Sequence, residues 1–326
     1  MYESTVRVAI QSKFDEILLQ LLPWQDDPST SLLLAHYTTI STFERIVRNE
    51  EFWFSHPLYM NDHEEFNFGF HYGVEAVNND GLLLQACGSA ERASVFITAF
   101  NQMSKWLAST DITDYYIFCT SEHSISDEDG SLEMWRAYGG NGAGVAVVLN
   151  GSSLGEAQMP LFRLGKVRYG TKGEREGWIT DFVVKFLDVI AASSLMEHEL
   201  RGAAALLLSG IKRLSLFLKH DGFKGEKEWR LVYAREWDAG GTLVSMLDYN
   251  VGPHGIEHKL KFKTKPISGH TSNDLSLESL IERILLGPTI SANIAKFSVE
   301  RMLKTRDRGD LAARLRASSI PFRTKS

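Results

Sequence analysis

The stretch EKEWRLVY, residues 226–233, concentrates two carboxylates and a guanidinium at the start of a run that otherwise reads as a buried strand. Read as strand throughout, it sets Glu226, Glu228 and Arg230 on one face and Trp229, Leu231 and Tyr233 on the other. Two carboxylates facing one cleft can steady a developing positive charge or move a proton, and an arginine beside them can grip an anion through its planar fork. The plain structural alternative is a salt-bridged strand end, with Lys227 and Arg230 screening the acids.

Other stretches carry weaker signals. AHYTT ends a short strand with His36 and Tyr37, an imidazole beside an aromatic plane. NDHEE at 61–65 gathers Asp62, Glu64, Glu65 and His63; it reads first as a helix start capped by Asn61 or Asp62, with a metal site as the alternative. GGNGAG at 139–144 has a helix before it and a strand after it, the reverse of a dinucleotide fingerprint, so a tight turn is expected. GSSLG at 151–155 lacks the helix that a nucleophilic Ser153 would need behind it. HELRG puts Gly202 where a zinc-protease helix requires its second histidine.

The elements that must position these groups follow from pattern. The 326 residues are 44% hydrophobic and carry a formal net charge of -6, so no global basic field recruits nucleic acid. Two cysteines, Cys87 and Cys119, far apart, argue against a disulfide scaffold or a cysteine zinc site and fit a cytoplasmic location. Residues 1–24 space Ile10, Phe14, Ile17, Leu18 and Leu21 as an amphipathic helix, without a secretory signal's pattern, and no apolar run is long enough for a membrane span. LLLAHY, FWFS, YYIFCTS, GVAVVL, PLFRLGKVRYG, EWRLVY, KLKFK and RILLGP read as strands. SLEMWRAYG reads as a short helix capped by Ser131, about 174–220 as a helical insertion broken near Gly202 or Gly210, and 307–326 as a polar tail. Without repeats or linkers, the expectation is one α+β domain over 1–326, with a mixed, largely antiparallel, split central sheet and surrounding helices.

Several motifs in order, HYT at 36–38, NDHEE at 61–65, CTSE at 119–122, MWRAY at 134–138, GEKEWRLV at 225–232 and ILLGP at 284–288, resemble a bacterial domain-of-unknown-function family numbered twenty-nine seventy-one, from Leu32 to about Leu303. More distantly, a strand ending in His-Tyr, one ending in Thr-Ser and one opening with Glu-x-Glu resemble the ADP-ribosyltransferase fold. That resemblance implies NAD as co-substrate, cleavage of its nicotinamide–ribose bond and transfer to a macromolecular acceptor, protein or nucleic acid. It implies Glu228 as the carboxylate beside the ribose and Glu226 as the group orienting the acceptor. His36, Ser121 and Arg230 then hold NAD, with an aromatic face from Tyr37, Trp135 or Tyr138, where Trp135 reads first as core packing and Tyr138 as the stacking ring, and with a loop contribution from Asn61, Asp62 and Glu65. The roles it suggests are a toxin or phage-defence effector, with an antitoxin or defence-system partner. The architecture to expect is His36, Ser121 and Glu228 facing one cleft, and Glu228 on the opposite side of the sheet from His36 counts against the transferase reading. Two competitors stand beside it: a nuclease in which Asp62, Glu65, Glu226 and Glu228 gather Mg²⁺, and a non-enzymatic nucleotide-sensing module.

Overall fold

In a computed structural model, the described residues are 12, 32–60, 63–79, 81–110, 115–155, 158–193, 195–252, 255–289 and 293–322. The amphipathic helix expected over 1–24 lies outside them save for Ser12, as do Asn61 and Asp62. The strands in chain order are β1 (Leu33–Thr38), β2 (Glu51–Ser55), β3 (Tyr115–His123), β4 (Val145–Asn150), β5 (Phe162–Lys166), β6 (Arg168–Gly170), β7 (Leu218–His220), β8 (Glu228–Ala234), β9 (Leu247–Gly252), β10 (Gly255–Lys263), β11 (Ile281–Leu286) and β12 (Leu315–Ala317).

The sequence pattern counted a single domain; contacts between residues group the chain into two compact units. One draws on 60–113 and 167–223, the second on 25–59, 114–166 and 224–326. The first is helical, with helices His63–Asn79, Leu82–Cys87, Ala90–Thr110, Lys172–Ala192 and Glu197–Ser215 and the short parallel pair β6–β7. Thr171 and Glu174 form a reciprocal capping box at the start of Lys172–Ala192, which satisfies amides the first turn leaves open. The break between the last two helices falls at 193–196. Both Gly202 and Gly210, expected as the breakpoints, sit inside the second helix, where flanking Ala and Leu positions outweigh their helix penalty.

The second unit holds a ten-stranded, mixed and mostly antiparallel sheet, as the alternating runs imply. From β12 the order runs β11, β4, β1, β3, β2, β10, β9, with β8 on β3 and β5 on β8. The sheet forks at β3. Its Ser121–His123 end pairs with β1, Ile117 pairs with Ser55 of β2, and β8 pairs along Tyr115–Ser121. Leu34, Phe54, Phe118, Val147, Trp229, Leu231, Tyr233 and Ile284 build the main core on one face. On the other, Leu33, Ala35, Tyr37, Ala146 and Val148 pack against Met134 and Trp135 of helix Leu132–Ala137. β4 is apolar on both faces because both are covered.

The polar tail expected after Arg306 is corrected. Residues 309–317 form a helical turn and β12, and Leu311, Ala312 and Leu315 enter the main core. Three apolar residues among many charges give no visible period over so short a segment.

Candidate functional site

β8 is where charge enters the sheet. Its residues are buried throughout, and pairing with β3 sets Glu228 opposite Ser121 and Arg230 opposite Cys119. Directly opposed residues of antiparallel strands share a face, so Ser121, Cys119, Glu228 and Arg230 lie together, opposite the Trp229, Leu231 and Tyr233 face. The Arg230 guanidinium grips the Glu228 carboxylate bidentately, Nε to Oε1 at 2.8 Å and Nη2 to Oε2 at 3.1 Å, with both side chains buried. Such a pair holds both groups rigidly, and removing either partner strands a buried charge.

Glu226 is not on the strand. A 3-10 turn, Asp221–Glu226, ends there, and Lys227 takes a left-handed backbone, φ 45°, before β8 begins at Glu228. A non-glycine residue in that region stores strain, held here by neighbours. The Lys227 carbonyl accepts from the Glu122 amide at 2.9 Å, and the Ser121 hydroxyl donates to the Glu226 carbonyl at 2.6 Å. Glu226 is nonetheless buried, and its Oε1 accepts from the Tyr138 hydroxyl at 2.9 Å. The kink thus brings a second buried carboxylate beside the start of β8 under the half-buried Tyr138.

Other expected ligand groups have structural work. Tyr37 is buried, its hydroxyl accepts from the Ser131 amide at 2.8 Å, and its ring meets Trp135 edge-on at 4.8 Å. Burial pushes the Tyr37 phenol up to about 12, so it stays neutral. Trp135 is fully buried and donates from Nε1 to the Asp129 carbonyl at 2.9 Å. Gly130, at φ +76°, lies so close that a Cβ there would stand 2.7 Å from the Tyr37 hydroxyl. Tyr37 and Trp135 therefore fasten the acidic loop after β3 and offer no open ring for a ligand. Ser121 is buried, its hydroxyl engaged on Glu226.

His36 is the clearest correction. Ala35 lies opposite Ser121, so its neighbour His36 points to the other face of the sheet from Glu228. There its ring packs on Phe118, centroids 4.4 Å apart, and Nδ1 donates to the Cys119 carbonyl at 2.9 Å. Cys119 lies between the two pairings that β3 makes with β1 and β2, so His36 closes the fork of the sheet. Burial lowers its pKa despite that hydrogen bond, which keeps the ring neutral.

Glu65 is the third residue of the helix His63–Asn79; Asn61 and Asp62 lie outside the described residues. Among the described residues, no three His, Cys, Asp or Glu side chains gather as a metal site. Two groups went unnoticed in the sequence. Cys119 shares the Glu228 face through its register with Arg230. The Glu133 carboxylate lies against Gly225, so close that a Cβ there would collide with it. Glu133 immediately precedes MWRAY, and the signal that could have found it is Gly225, a glycine directly before Glu-Lys-Glu, where backbone can pass close to another group.

Residues 134–231 match the model of a family described as protein of unknown function (DUF2971), which supports the family expected from the sequence over that stretch. The matched segment runs from MWRAY to EKEWRL and so contains Tyr138, Glu226, Glu228 and Arg230. No curated protein and no solved structure matches the chain. No helix among the described residues is long and apolar enough to cross a membrane.

Proposed function

We propose that the chain is an ADP-ribosyltransferase-like enzyme whose site is the Glu226, Glu228, Arg230 and Tyr138 cluster, in a form that does not use His36. The observation carrying this reading is the pair of buried glutamates on either side of the left-handed Lys227, beside a locked arginine. Folding alone gains little from burying such charge or straining such a residue.

In the proposed reaction the bond between ribose C1′ and the nicotinamide nitrogen breaks, and its electron pair leaves on neutral nicotinamide. Positive charge develops on the sugar, which the Glu228 carboxylate, oriented by Arg230, stabilises. The acceptor's nucleophilic atom bonds to C1′ and its proton passes to Glu226, which Tyr138 orients. The half-buried ring of Tyr138 also suits a cationic nicotinamide. A macromolecular acceptor, and a toxin or defence role for such an enzyme, belong to the same proposal.

One observation favours a second reading. A carboxylate already held by two guanidinium donors is well suited to structure, and the cluster would then serve a non-enzymatic nucleotide-sensing module. Radiolabelled NAD separates the two. Nicotinamide release by the wild type, falling by roughly 2.7–4 kcal/mol in Glu226→Gln or Glu228→Gln per folded molecule, supports the enzyme. NAD binding by calorimetry without release selects the module, and neither binding nor release removes NAD from the protein.

A further inference from the structure

We propose that β9 is the contact edge of a two-fold dimer of this chain, formed by antiparallel pairing of two β9 strands about an axis at Asn250. Among the described residues β9 has a strand partner, β10, on one side only, and it closes one end of the ten-stranded sheet. An edge of this kind presents a row of backbone donors and acceptors ready for another strand.

Exposed edges are ordinarily guarded by lysine, proline or an inward charge. LDYNVG contains no lysine or proline, and its one charge, Asp248, is neutralised by Lys261 of β10 at 2.8 Å. The edge is apolar as well as open. Ile256 pairs with Val251, His258 with Tyr249 and Leu260 with Leu247, so Leu247, Tyr249, Val251 and Ile256 share with one polar side chain, His258, the face on which Leu260 enters the main core. Among the described residues this face is exposed beyond the core: Tyr249 is 55% exposed, Val251 71% and Ile256 61%.

The edge is complementary to itself, which argues for a second copy as its occupant. With the axis at Asn250, Tyr249 faces Val251 of the other copy, an aromatic against a β-branched side chain, on the apolar face. Asp248 faces Gly252 and Asn250 faces its own equivalent, so no like charges oppose. An axis between two residues would set Tyr249 and Val251 among polar side chains; of the axes on a residue, that at Asn250 pairs Tyr249 with Val251 twice, once on each side of it. The edge is short, and interfaces below about 1,200 Å² are typically transient, so the dimer should form with rising concentration.

The test is sedimentation velocity over about a hundredfold range of concentration, which a self-association must follow by mass action. The wild type should pass from monomer to dimer. Val251→Lys places a hydrated ammonium opposite Tyr249 of the partner copy; it should keep the wild-type melt and remain monomeric, and Ile256→Lys repeats the test if Val251→Lys melts early. Asn250→Cys should give a disulfide-linked dimer under mild oxidation that the wild type does not, because opposed residues about 4.5–5.5 Å apart at Cα fall within disulfide reach. A wild type that stays monomeric throughout, or lysine variants that dimerise like it, overturns the proposal. A persistent dimer without the Asn250→Cys cross-link overturns the two-fold at Asn250.

Discussion

On one face of β8, Trp229, Leu231 and Tyr233 join a continuous apolar core; on the other, one residue along, Glu228 and Arg230 bury opposite charges against each other. Both faces are covered and the backbone is the same. The apolar face gains from removal of its surface from water, whereas the charged face is tolerated only because each ion finds its partner at hydrogen-bond distance. A strand that alternates between these regimes holds its site on a stiff support. The stability of that support comes from the side away from the chemistry.

Substitution can break this contrast. Arg230→Ala should cost about 3–5 kcal/mol in urea unfolding, since the buried Glu228 carboxyl would lose its fork, while pairing Arg230→Met with Glu228→Leu should recover most of the loss. On the opposite face Leu231→Ala should cost about 2–5 kcal/mol, with no change at Glu228 or Arg230 able to restore it. If the double variant is no more stable than Arg230→Ala, the charges are not balancing each other.

A smaller effect sharpens the assignment of His36 to the core side of the sheet. His36→Ala leaves the Cys119 carbonyl at the fork without its donor and should lower stability by about 1–3 kcal/mol, with NAD affinity per folded molecule unchanged. A selective loss of NAD binding would return His36 to the site.

The smallest expected effect is on pH dependence. Burial lowers the pKa of both His36 and His123 from the ordinary value of 6.5, and His123 Nε2 has no hydrogen-bond partner. The unfolded chain therefore takes up these protons first as pH falls. Their contribution to stability is complete above about pH 6.5 and declines below it until the lowered folded values are reached. Melting temperature should accordingly drop on acidification through this window, less steeply in His123→Gln than in the wild type. Identical slopes would remove His123 from the titration.

Much of this organisation was legible in the residues. Alternation gave β8 and an unbroken apolar run the interior strand β4, Ser131 does cap its helix by accepting from the Met134 amide, and GGNGAG is a turn, with Asn141 left-handed at φ 52°. Those features rest on interactions within a few residues, which local sequence determines. The sharing of one face by Glu228 and Arg230 was equally local, because two residues apart on a strand point the same way whatever surrounds them. Glu226 escaped this rule through a single left-handed residue, Lys227, which carries no sequence mark of the kind glycine would. His36 depended on something longer in range. Its own strand separates it only from Ala35 and Tyr37; whether His36 or these two share the face of Glu228 is decided by the registers of β1 on β3 and of β3 on β8, pairings between residues 86–90 and 107–119 apart in the chain. Alternation within a strand is a property of the chain, but its phase relative to a distant strand is set only when the sheet closes, since a slip of one residue exchanges the faces.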